Sequence, residues 1–133
     1  MQIKRVTTAH VPEAPPQTWS NCRVVGNHVF ISGMTAHDQQ GRISGAGSFY
    51  EQARHCFQKI KHLMEAAGGK MNDIVKVNIY VTDIKQRGEV WKARREFFTG
   101  DFPCSTLVEV SALGLPGMLV EIEAEGFIGT SID

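Results

Sequence analysis

The sequence predicts an α+β fold, with one mixed sheet and two helices packed on one of its faces. Three observations carry this reading. The stretch LVEIEAEG (119–126) alternates acidic and apolar residues with a period of two, and DIVKVNIYVTD (73–83) alternates in the same way, as strands do. Residues 49–67 instead space their apolar side chains at i, i+3, i+4 and i+7, which marks one face of a helix. Such segments follow the order β-β-β-α-β-α-β-β, and a chain of 133 residues fits one domain, 1–133.

KRVTT (4–8) is the first expected strand. HVPEAPPQTWSN (10–21) carries three prolines and reads as an extended surface stretch. CRVVGNHVFISG (22–33) places two apolar runs around Gly26-Asn27, the pattern of a hairpin. A polar, glycine-rich loop (36–47) leads to the first helix. There Phe49, Ala53, Cys56, Phe57, Ile60, Leu63, Met64 and Ala67 form the apolar stripe. Ser48 is its expected N-cap, with Glu51 at capping-box spacing, and Gly68-Gly69 its stop. The strand that follows alternates Val75, Val77, Ile79 and Val81 with Lys76, Asn78, Tyr80 and Thr82. IKQRGEVWKARREFFTG (84–100) is the second helix. STLVEVSAL and GMLVEIEAEGFIG close the domain as two strands joined across Gly-Leu-Pro-Gly. Two helices cover one sheet face only, so the other face is left for a second copy of the chain.

Composition weighs against several function classes. Fourteen basic residues balance fourteen acidic ones, so no excess charge is provided for nucleic-acid phosphates. The N-terminal MQIKRVTTAH lacks the apolar core of a signal peptide, and no apolar run has the length of a membrane span. Cys22, Cys56 and Cys104 are odd in number and widely spaced, which fits a reducing, cytoplasmic setting. His55 and His62 share a helix but do not form a metal-binding spacing, and His10, His28 and His37 are scattered. No metal is expected. No Walker loop, GxGxxG or GxSxG motif is present.

The glutamates remain. Glu121, Glu123 and Glu125 share one strand face, and Glu121 lies between Val120 and Ile122. A carboxyl in a dry pocket has a raised pKa and can exchange protons near neutral pH. Exposed strand carboxylates usually serve solubility, which is the reading for Glu123 and Glu125; Glu121, with its apolar neighbours, is the one placed to sit in a site.

The segments VVGNHVFISGMTAHD, QARHCFQKIKHLMEAAGGKMNDIVKVNIYVTDI, REFFTGDFPCSTLVEV and LVEIEAEG together resemble the reactive intermediate deaminase family, also called endoribonuclease L-PSP. The likeness runs in order along nearly the whole chain. It implies a chorismate-mutase-like fold and a homotrimer whose open sheet faces form an inner β-barrel, with small-molecule pockets at the subunit interfaces. It also implies cofactor-free hydrolysis of enamines and imines such as 2-aminoacrylate. By the same resemblance, Glu121 of V-E-I-E-A holds the attacking water, and Ser32 and Gly33 line the pocket.

Other positions depart from the family pattern. The family's F-P-A-R-S carries an arginine that clamps the substrate carboxylate, and Ser105 of FPCST occupies that position. Leu107 stands for a cysteine, Trp19 for a pocket tyrosine, and Trp91 for an asparagine near the second helix. The loop ALGLPGML is longer than the family's connection. The expected site has thus lost a fixed positive charge and gained apolar surface. The expectation is a hydrolase acting on an enamine or imine larger or less acidic than 2-aminoacrylate. Glu121 is its catalytic residue, and Ser32, Gly33, Ser105, Thr106, Leu107, Trp19 and Trp91 are its substrate-binding residues. The alternatives are a non-catalytic metabolite-binding member and, on the older family name, an endoribonuclease.

Overall fold

The computed structural model describes residues 1–132. Its strands are β1 (Ile3–Val6), β2 (Cys22–Val25), β3 (His28–Met34), β4 (Ile74–Val81), β5 (Cys104–Glu109) and β6 (Val120–Phe127); its helices are α1 (Phe49–Ala66) and α2 (Arg87–Arg94). The strands form one mixed sheet in the order β1-β2-β3-β6-β4-β5. Every pair is antiparallel except β4 and β5, which are parallel because α2 lies in the crossover between them. The α+β architecture expected from the sequence is the one observed.

Helix α1 begins where the sequence places it. Ser48 Oγ accepts a hydrogen bond from the Glu51 amide at 3.1 Å, satisfying one of the orphan donors of the first turn. Past its end, Gly68 adopts φ +97°, a left-handed conformation that glycine adopts without steric cost. Phe57, Ile60, Leu63 and Met64 are fully buried and share one core with Val77, Ile79, Val120 and Ile122 of the sheet. Each contributes about 2 kcal/mol through its removal from water.

Several details differ from the sequence reading. The first strand forms at Ile3–Val6 rather than 4–8. Helix α2 stops at Arg94 instead of reaching Gly100. There the Glu96 and Phe97 amides bond to the carbonyls three residues back, at 3.0 Å each, a tighter winding that ends helices. The two closing strands do not pair with each other: β6 inserts between β3 and β4, leaving β5 at the sheet edge. Val75 is exposed although the alternation assigned it to the same face as Val77. Between Ile74 and Lys76 the β4 chain advances two residues while β6 advances one, so a bulge turns Val75 outward.

A second bulge shapes the future site. Between Ile31 and Met34, β3 advances three residues against two on β6. Ser32 and Gly33 occupy this irregularity. Met34 thereby returns to the covered face with Val29 and Ile31.

The uncovered face carries the three glutamates of β6, and each has different company. Glu125 Oε2 is 2.9 Å from His28 Nε2, and the His28 ring stacks against Phe30 and Phe127. Glu125 is therefore paired rather than merely solvated. Glu123 Oε1 accepts hydrogen bonds from Asn78 Nδ2 at 3.0 Å and the Tyr80 hydroxyl at 2.9 Å. Glu121 lies at the end of the strand nearest the bulge. Phe30 and Val108 are exposed on this face.

Candidate functional site

Glu121 folds back over Gly33. A methyl group at position 33 would stand 2.7 Å from Glu121 Cδ and 2.9 Å from its Cγ. Only a residue without a side chain leaves room for the carboxylate here. The resulting cavity has a volume of about 400 Å³, within the usual range for small-molecule pockets. Glu121 and Gly33 form part of its wall, with Trp19, Lys59, Leu115 and Met118 among the other contributors.

Three segments outside the sheet complete the cavity. The proline-rich stretch 10–21 is not a loose surface segment. Asn21 Nδ2 donates to the Pro12 carbonyl at 2.9 Å, and Trp19 Nε1 donates to Asn21 Oδ1 at 3.2 Å. Ser32 fastens the same stretch to β3, its Oγ donating to the Ser20 carbonyl at 2.6 Å and its amide to the Asn21 carbonyl at 2.9 Å. The 110–119 loop is held from behind by the fully buried Gln52 of α1, whose amide nitrogen donates to the Gly117 carbonyl at 2.9 Å and whose oxygen accepts from the Leu119 amide at 2.9 Å. The third segment, 35–37, is held by Lys59.

Lys59 is only 8% exposed. Its Nζ donates to the Thr35 carbonyl at 2.5 Å and the His37 carbonyl at 2.7 Å. Burial holds this ammonium below the ordinary lysine value, since a low dielectric disfavours the charged form. Burial, and then the Lys59 charge, likewise hold His37 below the ordinary imidazole value. Glu121 shifts upward, first through burial and then through the Glu123 charge. Such a carboxylate is a stronger base than one in water and is suited to taking a proton from a bound water. Among the described residues, no three His, Cys, Asp or Glu side chains stand together in a way that could hold a metal ion.

The structure brings together Glu121, Gly33 and Trp19 in this cavity, with Ser32 bracing its wall. It does not bring the other expected residues there within one chain. Ser105, Thr106 and Leu107 lie on β5, separated from β6 by β4. Thr106 accepts from Lys76 Nζ at 3.0 Å, and Leu107 packs against the core. Trp91 is 38% exposed on α2, with the Arg87 guanidinium 5.9 Å from its ring centroid.

Two cations escaped the sequence reading. Arg94 Nη1 donates to Ser105 Oγ at 2.9 Å, so a guanidinium from the neighbouring helix stands beside the position where the family carries its arginine. Lys59 is part of the wall of the Glu121 cavity itself. Its signal was present: Gln52, Cys56, Lys59 and Leu63 follow the buried helical spacing, and two polar residues in an apolar stripe call for polar partners.

The comparisons with known proteins agree with this architecture. A relative from Dermatophagoides farinae named 2-iminobutanoate/2-iminopropanoate deaminase is 31% identical over 124 residues, covering 93% of this chain and 96% of the relative. The crystal structure of RidA from the Antarctic bacterium Psychrobacter sp. PAMC 21119 superimposes with a TM-score of 0.85 at 33% identity, covering 94% of this chain and 99% of that one. A protein of unknown function from Pseudomonas aeruginosa gives a TM-score of 0.85 at 40% identity, covering 96% of this chain and 94% of its own. The family model described as Endoribonuclease L-PSP matches residues 9–127, and with nearly the whole chain and its fold accounted for, the protein belongs to that family.

Proposed function

We propose that this protein hydrolyses a reactive enamine or imine, larger or less acidic than 2-aminoacrylate, to the corresponding carbonyl compound and ammonia. The observation that carries this reading is the Glu121 carboxylate, which lies over Gly33 in a cavity where burial raises its pKa. A water held by Glu121 adds to the imine carbon while the carboxylate accepts its proton. The carboxylate returns that proton to nitrogen and then relays the hydroxyl proton of the resulting carbinolamine there too, so that nitrogen leaves as ammonia and the carbon retains the water oxygen as its carbonyl. The balance is one imine and one water to one carbonyl and one ammonia, and no cofactor is required. The name of the Dermatophagoides farinae relative supports the reaction class. Leu115, Met118 and Trp19 give the cavity an apolar side suited to a larger substrate.

The reading extends to assembly. Three copies would pack their uncovered sheet faces inward around Phe30 and Val108, which a single chain leaves exposed. Such packing would set the β5 edge of one copy, with Ser105, Thr106, Leu107 and Trp91, against the cavity of the next. The absence of an arginine at position 105 favours a second reading, in which the cavity binds a metabolite without converting it.

The test is a coupled assay in which an amino-acid oxidase generates imines from charged, aliphatic and aromatic amino acids. Wild type is expected to accelerate carbonyl release from at least one imine, and Glu121→Ala to lose that acceleration about 100-fold or more. A wild type inert on the whole panel, or a fully active Glu121→Ala, rejects the hydrolase. An inert wild type that still binds the carbonyl products supports the second reading.

A further inference from the structure

Lys59 is the only charged residue on the buried face of α1. An ammonium has three protons to donate, and carbonyls 35 and 37 take two of them. Among the described residues no carboxylate stands within ion-pair distance of it. The Asp38 charge favours the ammonium from beyond contact, but a buried cation lacking a direct ion pair is still costly, so a lysine serving only to tie a loop is a poor solution. A neutral amide, such as the Gln52 that performs the same task seven residues earlier, avoids the cost. Lys59 also lines the cavity that holds Glu121, and so do Thr35 and His37, whose carbonyls its ammonium meets.

We propose that Lys59 is the anion-binding pole of this cavity and takes the carboxylate of a 2-imino or 2-enamino acid whose reacting carbon is presented to Glu121. This assignment rests on the hydrolase reading and makes the substrate larger rather than less acidic. The third ammonium proton meets one carboxylate oxygen. A single point-charge contact fixes orientation less tightly than a guanidinium fork. The cavity therefore selects for the charge while leaving the substrate side chain free to rest on Leu115, Met118 and Trp19.

The test reads binding rather than turnover. Phenylpyruvate and its neutral amide are titrated by calorimetry into wild type, Lys59→Gln, Lys59→Met and Arg94→Met. Lys59→Gln keeps donors for the two carbonyls but loses the charge, so it serves if the methionine variant does not fold. Wild type is expected to bind the acid at least tenfold tighter than the amide. Both folded Lys59 variants are expected to bind the two ligands alike. The proposal is overturned if wild type shows no preference for the acid, or if a folded Lys59 variant retains it. It is equally overturned if Lys59 substitution weakens acid and amide to the same extent, the mark of a purely structural lysine. Loss of the preference in Arg94→Met, with Lys59 variants unaffected, would transfer the role to Arg94. A wild type that prefers the acid through Lys59 but turns over no imine would uphold the anion-binding role of Lys59 while rejecting the hydrolase.

Discussion

Replacing Gly33 with alanine isolates the contact on which the site is built. The Gly33 backbone is not among the positive-φ glycines, so alanine can adopt its conformation. On its own the change should stabilise by about 0.4–1 kcal/mol, because the unfolded chain loses freedom. Against this stands the new methyl, 2.7 Å from Glu121 Cδ and 2.9 Å from Cγ. Because Cγ is involved, rotation of the carboxylate alone does not relieve the overlap, and the side chain must leave its position. Overpacking of this kind costs about 1–3 kcal/mol. Gly33→Ala should therefore be neutral to about 2.6 kcal/mol destabilising in the wild-type background. In a Glu121→Ala background the three atoms nearest the methyl are gone, and the same substitution should stabilise. Urea unfolding of the four proteins closes the cycle, with a coupling of about 1–3 kcal/mol expected. Equal effects in both backgrounds, within about 0.5 kcal/mol, would show that the carboxylate does not lie over Gly33. Imine turnover in Gly33→Ala should fall nearly as far as in Glu121→Ala.

Other consequences are open to measurement. Burial and Glu123 raise the Glu121 carboxyl in the folded state, so its ionisation costs stability as pH rises through the folded value. Glu121→Gln should then melt at a higher temperature than wild type near neutral pH, with the gain shrinking in acid; a pH-independent difference contradicts the assignment. Burial pushes Cys22 up to about 11 and Cys56 up to about 12, while Cys104 is exposed. A thiol reagent at mildly alkaline pH should label Cys104 quickly and the other two only on unfolding, as peptide mass mapping would show. The buried Asp73 carboxylate accepts four amides, from Lys70, Gly129, Thr130 and Ser131, at 2.7–3.2 Å. Asp73→Ala should cost about 3 kcal/mol in a denaturant titration, and a loss under about 1 kcal/mol would show that these bonds matter little. Gly126→Ala should be worse tolerated than Gly33→Ala, since its methyl would meet the Asp73 carbonyl carbon and Ile74 Cα at 3.0 Å, and backbone cannot swing aside.

Helix α1 was legible because a period of 3.6, a serine cap and a glycine stop agree locally. Strand β6 was legible because its alternation runs unbroken from Val120 to Phe127. The bulges at Val75 and at Ser32-Gly33 were not, because each inserts one residue and shifts the phase of the pattern that reveals a strand. The placement of β5 was not legible either, since strand order depends on contacts distant in sequence. The same limit applies to the site. Glu121, Gly33 and Trp19 meet because the β3 bulge and the proline-rich stretch close on one another, whereas Ser105 and Trp91 are carried to the far edge by the α2 crossover. Arg94 passed unnoticed because a lone basic residue on a helix reads as solvent-facing until its neighbours are known, whereas Lys59 shares the buried helical spacing with Gln52 and was legible in principle.

The Gln52 clamp has a thermodynamic meaning for whatever enters the cavity. The 110–119 loop contains glycines and a proline and would wander if it were free. Held at Gly117 and Leu119 by a side chain with no solvent exposure, it is ordered before any ligand arrives. Its entropy is lost during folding, and little of it remains to be lost on binding. Association should accordingly follow a single fast phase whose rate rises linearly with ligand concentration, without the plateau produced by a closing lid.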